Sequence, residues 1–394
     1  MMLNKYSFEN FQSFLAPTIV DFTLNEKATP NDWMVACDTG TRVSQIMAVI
    51  GPNASGKTAL LKPIVFLEWF IASSFAAQPD SHIPIAPHFS AADKPTVVSA
   101  ELDFDGALWR YELRCTREQV LHEALYRKHE RFRYVFIRDW DESTNAYKVR
   151  QNDFGFPVKE AQKVRKNASL ISTAAQYDIP LAMQLVNISL HSNVILVGRQ
   201  ANRQESLFNA ANHFNKNPEQ FELLKRLLMS WDLGLSDIEI REIFRNEPDP
   251  DAPKMFLPFG KHKWAKGEAD LPFVLESTGT QSAFILLAVL LQVLTSGGVA
   301  VIDEFESDLH PHMLEPIINL FCNPQLNPRR AQLIFTCHAI EVLNILHKSQ
   351  VMLVEKNADC ESSGYRLDEI KNIRTDDNYY AKYMAGAYGA IPVF

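Results

Sequence analysis

The residues best placed by type and spacing to do chemistry are Gly51, Pro52, Asn53, Ala54, Ser55, Gly56, Lys57 and Thr58, which satisfy the pattern G-x-x-x-x-G-K-[ST]. In such a loop the backbone N–H groups at a helix N-terminus cradle phosphates. Lys57 then reaches the β and γ oxygens of a nucleotide, and the Thr58 hydroxyl holds magnesium. A second group follows far along the chain: the apolar run Gly298 to Ile302 ends in Asp303 and Glu304. Two adjacent acids at a strand end divide two tasks, Asp303 binding magnesium through water and Glu304 orienting or deprotonating an attacking water. Between these groups, Ser277, Thr278 and Gly279 precede the apolar stretch Ala283 to Leu294, where a helix start would turn free N–H groups toward an anion. Ile334 to His338 reads as a further strand, ending in a histidine able to sense a phosphate.

Each group needs an element to hold it. Ile46 to Ile50 is a short apolar run bounded by Gly51 and Pro52, as expected of a buried strand. Leu60, Leu61, Ile64, Phe66, Leu67 and Phe70 then recur at helical spacing, with Pro63 a point of bending. From Thr96 to about Val149 apolar and polar residues alternate, which predicts an antiparallel lobe. Gln151 to about Phe244 reads as mainly helical, with a clear amphipathic face from Phe221 onward, and Asn246 to Pro253 as an exposed connection. The expected division is thus 1–150, the N-terminal half of an α/β head with its phosphate loop and antiparallel lobe; 151–245, a mainly helical insertion in the form of a short hairpin; and 254–394, the C-terminal half.

Composition narrows the alternatives. Hydrophobic residues make up 46% of the 394 and charged residues 22%, values of ordinary folded domains. A net charge of −8 disfavours a surface that attracts nucleic acid everywhere, so any such contact must be local. The best local stretch is Arg127 to Tyr134, basic and interleaved with aromatics, followed by Lys159 to Lys166. Cys37, Cys115, Cys322, Cys337 and Cys360 are scattered and show no C-x-x-C pair, which points to a reducing cytoplasmic setting. No secretory h-region opens the chain, and the run Ala283 to Leu291 falls short of a membrane span, so no membrane partner is expected. His310 and His312 lack a nearby third ligand and read as loop residues.

The order of these pieces resembles the ABC-type ATPase heads related to SMC and double-strand-break repair ATPases. Ser277, Gly279 and Gln281 match the ABC signature, with Thr278 and Thr280 departing from it; Glu306 to Pro311 resembles a D-loop, with Asp308 inside it; and His338 resembles the switch histidine. Within that group the chain is similar to ATPases of bacterial abortive-infection and anti-phage systems, among them the ATPase component of the PARIS system. Phe8 to Phe14, Gly51 to Thr58, Asp303 to Pro311 and Tyr383 to Pro392 carry this likeness. The resemblance implies ATP and magnesium as cofactors, a homodimer or larger homo-oligomer, and a signature that caps the γ-phosphate held by a second copy. It further implies a sensor or scaffold that controls a separate toxin or nuclease and answers to a phage protein. The alternative is a repair or restriction ATPase that clamps DNA. The insertion is too short for the coiled coil of true SMC proteins. The 56 residues after His338 leave no room for the Toprim nuclease of overcoming-lysogenisation-defect proteins. Gln12 stands where many SMC-like heads carry a basic phosphate contact, and Gln176 and Gln184 are the candidates for a Q-loop.

Overall fold

The computed structural model describes residues 1–24, 33–196, 202–231, 233–243 and 254–392. In chain order these form β1 (Met2–Glu9), β2 (Thr18–Asp21), β3 (Met34–Ala36), β4 (Arg42–Ser44), β5 (Ile46–Ile50) and α1 (Lys57–Ser73). The next strands are β6 (Thr96–Phe104), β7 (Ala107–Cys115), β8 (Val120–Lys128), β9 (Phe132–Asp141) and β10 (Ala146–Gln151). Then come α2 (Val158–Ala161), α3 (Leu170–Ala175), α4 (Pro180–Val186), β11 (Leu190–Ser192), α5 (Arg203–Lys216), α6 (Pro218–Ser230) and β12 (Asp237–Ile243). The remainder is β13 (Met255–Trp264), β14 (Gly267–Pro272), α7 (Thr278–Ser296), β15 (Val299–Ile302), α8 (Leu314–Ile318), β16 (Gln332–Thr336), β17 (Val351–Lys356), β18 (Ser362–Arg366) and α9 (Tyr379–Met384).

The central sheet runs β11-β15-β16-β5-β17-β18, parallel except for its β18 edge. Its strands read as unbroken apolar runs because both faces are covered. Side chains alternate in a strand, so each run feeds two cores. Met47 and Val49 face one, with α1 and the antiparallel sheet; Ile46, Ala48 and Ile50 face the other, with α5, α6 and α7. Val299 and Val301 against Ala300 and Ile302 repeat the division on β15. The antiparallel sheet, β10-β9-β8-β7-β6-β1-β2, contains the whole lobe expected from Thr96 to Val149. Gln332 stitches the two sheets together: its amide oxygen accepts from Leu3 N at 2.6 Å and its Nε2 donates to Leu3 O at 2.9 Å.

α7 buries Phe284, Leu287, Leu291 and Leu294 at three- and four-residue spacing, and each fully buried leucine is worth about 2–3 kcal/mol of removed apolar surface. Gly297, at φ 80°, ends it. Residues 57–76 and 278–296 are long and apolar enough to cross a membrane by length and composition, and more than half of each is buried inside the protein.

The stretch 151–245, expected as a mainly helical insertion, carries α2 to α6 and also two strands. β11 is hydrogen-bonded in parallel to β15, and β12 pairs with β13 from the C-terminal half. The connection Asn246 to Pro253 lies outside the described residues. In β9 of the antiparallel lobe, Arg138 is wholly buried. It donates to Glu123, Ala168 O, Val164 O and Arg165 O and lies 3.7 Å over the Tyr147 ring, while Glu123 also accepts from Tyr111, Ser169 and Leu170. The pair and its hydrogen bonds to Val164, Arg165, Ala168, Ser169 and Leu170 fix the 164–170 segment to the lobe, with Arg138 Nε buried and left without a partner.

Candidate nucleotide site

β5 delivers the phosphate loop at the C-terminal edge of the parallel sheet, where crevices between strands take ligands. Gly51 is required by a close approach: a Cβ there would lie 2.1 Å from Val354 O of β17. Gly56, at φ 112°, is the N-cap of α1. The loop is braced from behind by Ser362, whose Oγ donates to Ser55 O at 2.6 Å and lies 2.8 Å from Ser13 Oγ. Lys57 is buried and folds back on its own loop, donating to Gly51 O at 2.9 Å and Pro52 O at 3.0 Å. Burial lowers its pKa, and the nearby charges of Asp303, Glu306 and Glu304 oppose that shift.

The acid pair meets the loop directly. Thr58 Oγ1 donates to Asp303 Oδ2 at 2.8 Å, and Thr336 Oγ1 donates to Asp303 Oδ1 at 2.6 Å. Glu304 N donates to Thr336 Oγ1 at 2.8 Å, and His338 N donates to Glu306. Gln12, Asn53, Gly56, Lys57, Thr58, Asp303, Glu304 and His338 therefore converge on one cavity of about 560 Å³, a size suited to a small-molecule ligand. Gln12, Ala54 and Glu304 around it, and Asp308 beyond it, hold φ of 50°, 61°, 51° and 60°, a left-handed backbone that costs non-glycine residues about 1–2 kcal/mol each.

Ser277, Gly279 and Asp308 do not line this cavity. They form a second cluster, at the start of α7. Ser277 Oγ caps the helix by accepting from Thr280 N at 3.2 Å, and a Cβ on Gly279 would stand 2.9 Å from Asp308 O. Arg203, the first residue of α5, ties the two loops: it donates to Thr278 O at 3.0 Å and Ser282 Oγ at 3.2 Å and pairs with the Asp308 carboxylate. Gln176 and Gln184, the glutamines considered for a Q-loop, are exposed and line neither the cavity nor the cluster. His310 lies 5.0 Å from His312, ring to ring, and caps a short turn; among the described residues no group of three His, Cys, Asp or Glu could hold a metal ion.

Sequence reasoning missed four contributors: Thr336, Asn193, Arg203 and Lys356. Asn193 follows β11 and clamps the Asp303 backbone twice, donating to Asp303 O at 2.9 Å and accepting from Asp303 N at 2.7 Å. At roughly 1 kcal/mol net per bond, Asn193→Ala should lower stability by about 1–2 kcal/mol, read as a lower urea midpoint at unchanged m-value. A midpoint equal to the parent's would mean that the clamp contributes nothing.

A family model described as "AAA domain, putative AbiEii toxin, Type IV TA system" matches residues 46–344. The chain belongs to this family. The match takes in the phosphate loop, both acids, the α7 cluster and His338. The fold of this AbiEii-type AAA chain is a P-loop α/β core with a mixed sheet and an antiparallel lobe. Among solved structures it is similar to the SMC head domain from Thermotoga maritima, at 16% identity and a TM-score of 0.43 over 93% of this chain and 99% of that one. An Smc head domain with an extended coiled coil, bound to the C-terminal domain of ScpA and derived from Pyrococcus furiosus, is similar at 12% identity and 0.41, covering 93% and 97%. No match was found among curated proteins.

Proposed function

We propose that this chain binds and hydrolyses ATP with magnesium, at composite sites between two copies, and that it is the sensor or scaffold of an abortive-infection system acting through a separate effector. The observation that carries the nucleotide reading is the 2.8 Å contact between Thr58 Oγ1 and Asp303 Oδ2. The hydrogen bond sets the loop hydroxyl beside the strand-end carboxylate, so Thr58 would hold magnesium directly and Asp303 would hold it through water. Magnesium supplies charge neutralisation between phosphates. Lys57 then takes β and γ oxygens, Gly51, Asn53, Ser55 and Gly56 frame the loop, Glu304 receives the proton of the attacking water, and His338 meets the γ-phosphate. Ser277, Gly279 and Asp308 lie outside that cavity, which suits a role toward a nucleotide held by a second copy.

The defence reading draws on the AbiEii-type family and on the likeness of both chain ends to ATPases such as that of the PARIS system. Hydrolysis would reset a switch, since a population shift needs only different affinities in two states. A toxin or nuclease partner and a phage protein trigger follow from that reading. A second reading, in which the head clamps DNA, draws on exposed Arg131 and Arg133 in the β8–β9 hairpin. The test is to express the chain alone and with its neighbouring gene, challenge cells with phage, and recover bound partners. Protection only with the neighbour, and trigger-dependent release of its product, is expected. Protection by the lone chain, or nuclease activity in the lone chain that Glu304→Gln abolishes, would overturn the separate-effector reading. Salt-dependent DNA binding without any bound protein would favour the clamp.

A further inference from the structure

The phosphate-loop cavity contains a cation that the motifs do not account for. Lys356 lines it together with Gln12, Asn53, Lys57 and Asp303. It is the last residue of β17, which pairs in parallel with β5 through Val351↔Ala48, Met352↔Val49 and Leu353↔Ile50. Parallel strands in register leave the sheet at the same edge, so Lys356 emerges beside the loop that β5 feeds. The two strand ends lie so close that a Cβ on Gly51 would meet Val354 O.

The direction of the side chain follows from its hairpin. Lys356 pairs with Ser362 of β18, and directly opposed residues of an antiparallel pair share a face. Ser362 is buried against the loop, bonded to Ser55 O and close to Ser13 Oγ. Glu355, on the opposite face, is occupied elsewhere, accepting from Tyr365 OH at 3.3 Å and Ala390 N at 3.1 Å. Lys356 is exposed, and among the described residues it makes neither an ion pair nor a hydrogen bond.

Its place in the sheet says which part of a nucleotide it would meet. In the order β15-β16-β5-β17, Asp303 and Glu304 follow β15 and Thr336 ends β16, so the acids lie on one side of the loop and Lys356 on the other. Strands are about 4.8 Å apart, which separates β15 from β17 by roughly 14 Å, more than the phosphate chain spans. A triphosphate with its magnesium and γ end at the acids turns its α end toward Lys356. Gln12, at the same wall, offers only a neutral amide.

We propose that Lys356 is a second phosphate-binding cation of this site, taking α- and β-phosphate oxygens of a nucleoside di- or triphosphate. This rests on the nucleotide-binding reading above and adds to it a residue with no role in the γ-phosphate chemistry. Lys356 is thus an affinity residue, whereas Lys57 serves both affinity and turnover.

Calorimetry with ATP and ADP, and steady-state ATP hydrolysis, on the full-length parent, Lys356→Gln, Lys356→Arg and Lys57→Ala proteins test this. Losing one charge-assisted contact should weaken ATP and ADP binding alike, each by about tenfold, in Lys356→Gln. KM for ATP should rise by a similar factor, with kcat within about twofold of the parent, and Lys356→Arg should restore most of the affinity. Lys57→Ala should lose far more for ATP than for ADP. A parent that binds neither nucleotide would sink the underlying reading. A parent and Lys57→Ala that behave as expected, beside a Lys356→Gln that binds both nucleotides like the parent, would overturn the Lys356 assignment alone. So would a Lys356→Arg as weak as Lys356→Gln, or a fall in kcat at unchanged Kd.

Discussion

Lys57→Ala is expected to lose at least about a hundredfold in ATP affinity and to retain its fold. Lys57 is the only basic side chain of the loop itself. Its ammonium group is buried, and its present acceptors, Gly51 O and Pro52 O, are carbonyls that a phosphate can outcompete. A hydrogen bond from a charged donor is worth about 1.5–3 kcal/mol, and an ammonium group that bridges two phosphates forms two of them, so a loss of about 3 kcal/mol, or a hundredfold, is the lower bound. Gly51 is buried and Pro52 partly so, and leaving a carbonyl there without the ammonium costs about 1–3 kcal/mol, less than the stability of an ordinary domain, so the mutant still folds. Burial lowers the lysine pKa from an ordinary value near 10.5, and Asp303, Glu306 and Glu304 counter that shift. Calorimetry with ATP, beside circular dichroism of the mutant, checks both halves. A folded mutant with parental affinity would remove the phosphate loop from the account.

How much of this was legible depends on where each signal sits. The loop could be read because strand, glycine turn and helix are contiguous, so that Ile46 to Phe70 carries its whole context with it. β15 and β16 were equally plain, since strands covered on both faces are written as continuous apolar runs. β11 left no such mark. It has three residues, and a window wide enough to detect periodicity averages it into the helices on either side. Its identity as a strand comes from β15, about 110 residues away, and so does the role of Asn193, whose partner is the backbone of Asp303. Arg203 and Lys356 were missed for the same physical reason. A lone basic residue has no pattern, and only the folded chain brings Arg203 to Asp308 and sets Lys356 beside the loop. The basic run Arg127 to Tyr134 illustrates the converse. Its composition suggested a nucleic-acid strip, yet Arg127 lies 5.1 Å over the Trp109 ring and Lys128 5.9 Å over Phe132. Part of that charge is spent covering aromatic surface of its own lobe.

Glu304→Gln is expected to slow ATP hydrolysis by two to four orders of magnitude while ATP still binds, and so to accumulate an ATP-bound dimer or larger assembly. The amide cannot accept the proton of the attacking water, and general-base catalysis of this kind is worth about 10²–10⁴-fold. It occupies the same volume, however, and the backbone that places it stays: Glu304 N remains on Thr336 Oγ1, and Asp303 keeps Thr58, Thr336 and Asn193. Nucleotide binding therefore survives. Assembly follows from the proposed sharing of sites: Ser277, Gly279 and Asp308 do not line the cavity of their own chain, and on that proposal they meet a γ-phosphate held by a second copy. Arg203 holds the signature turn and the D-loop to each other, so both would be presented to that copy as one surface. Light scattering with and without ATP reads the mass directly, and turnover per subunit in the parent should rise with protein concentration. Mixing Lys57→Ala with Ser277→Arg chains adds a complementation test, since each heterodimer rebuilds at most one intact composite site and partial recovery of activity is expected. A Glu304→Gln protein that stays monomeric when saturated with ATP would refute sharing between copies, and would confine hydrolysis to groups of a single chain.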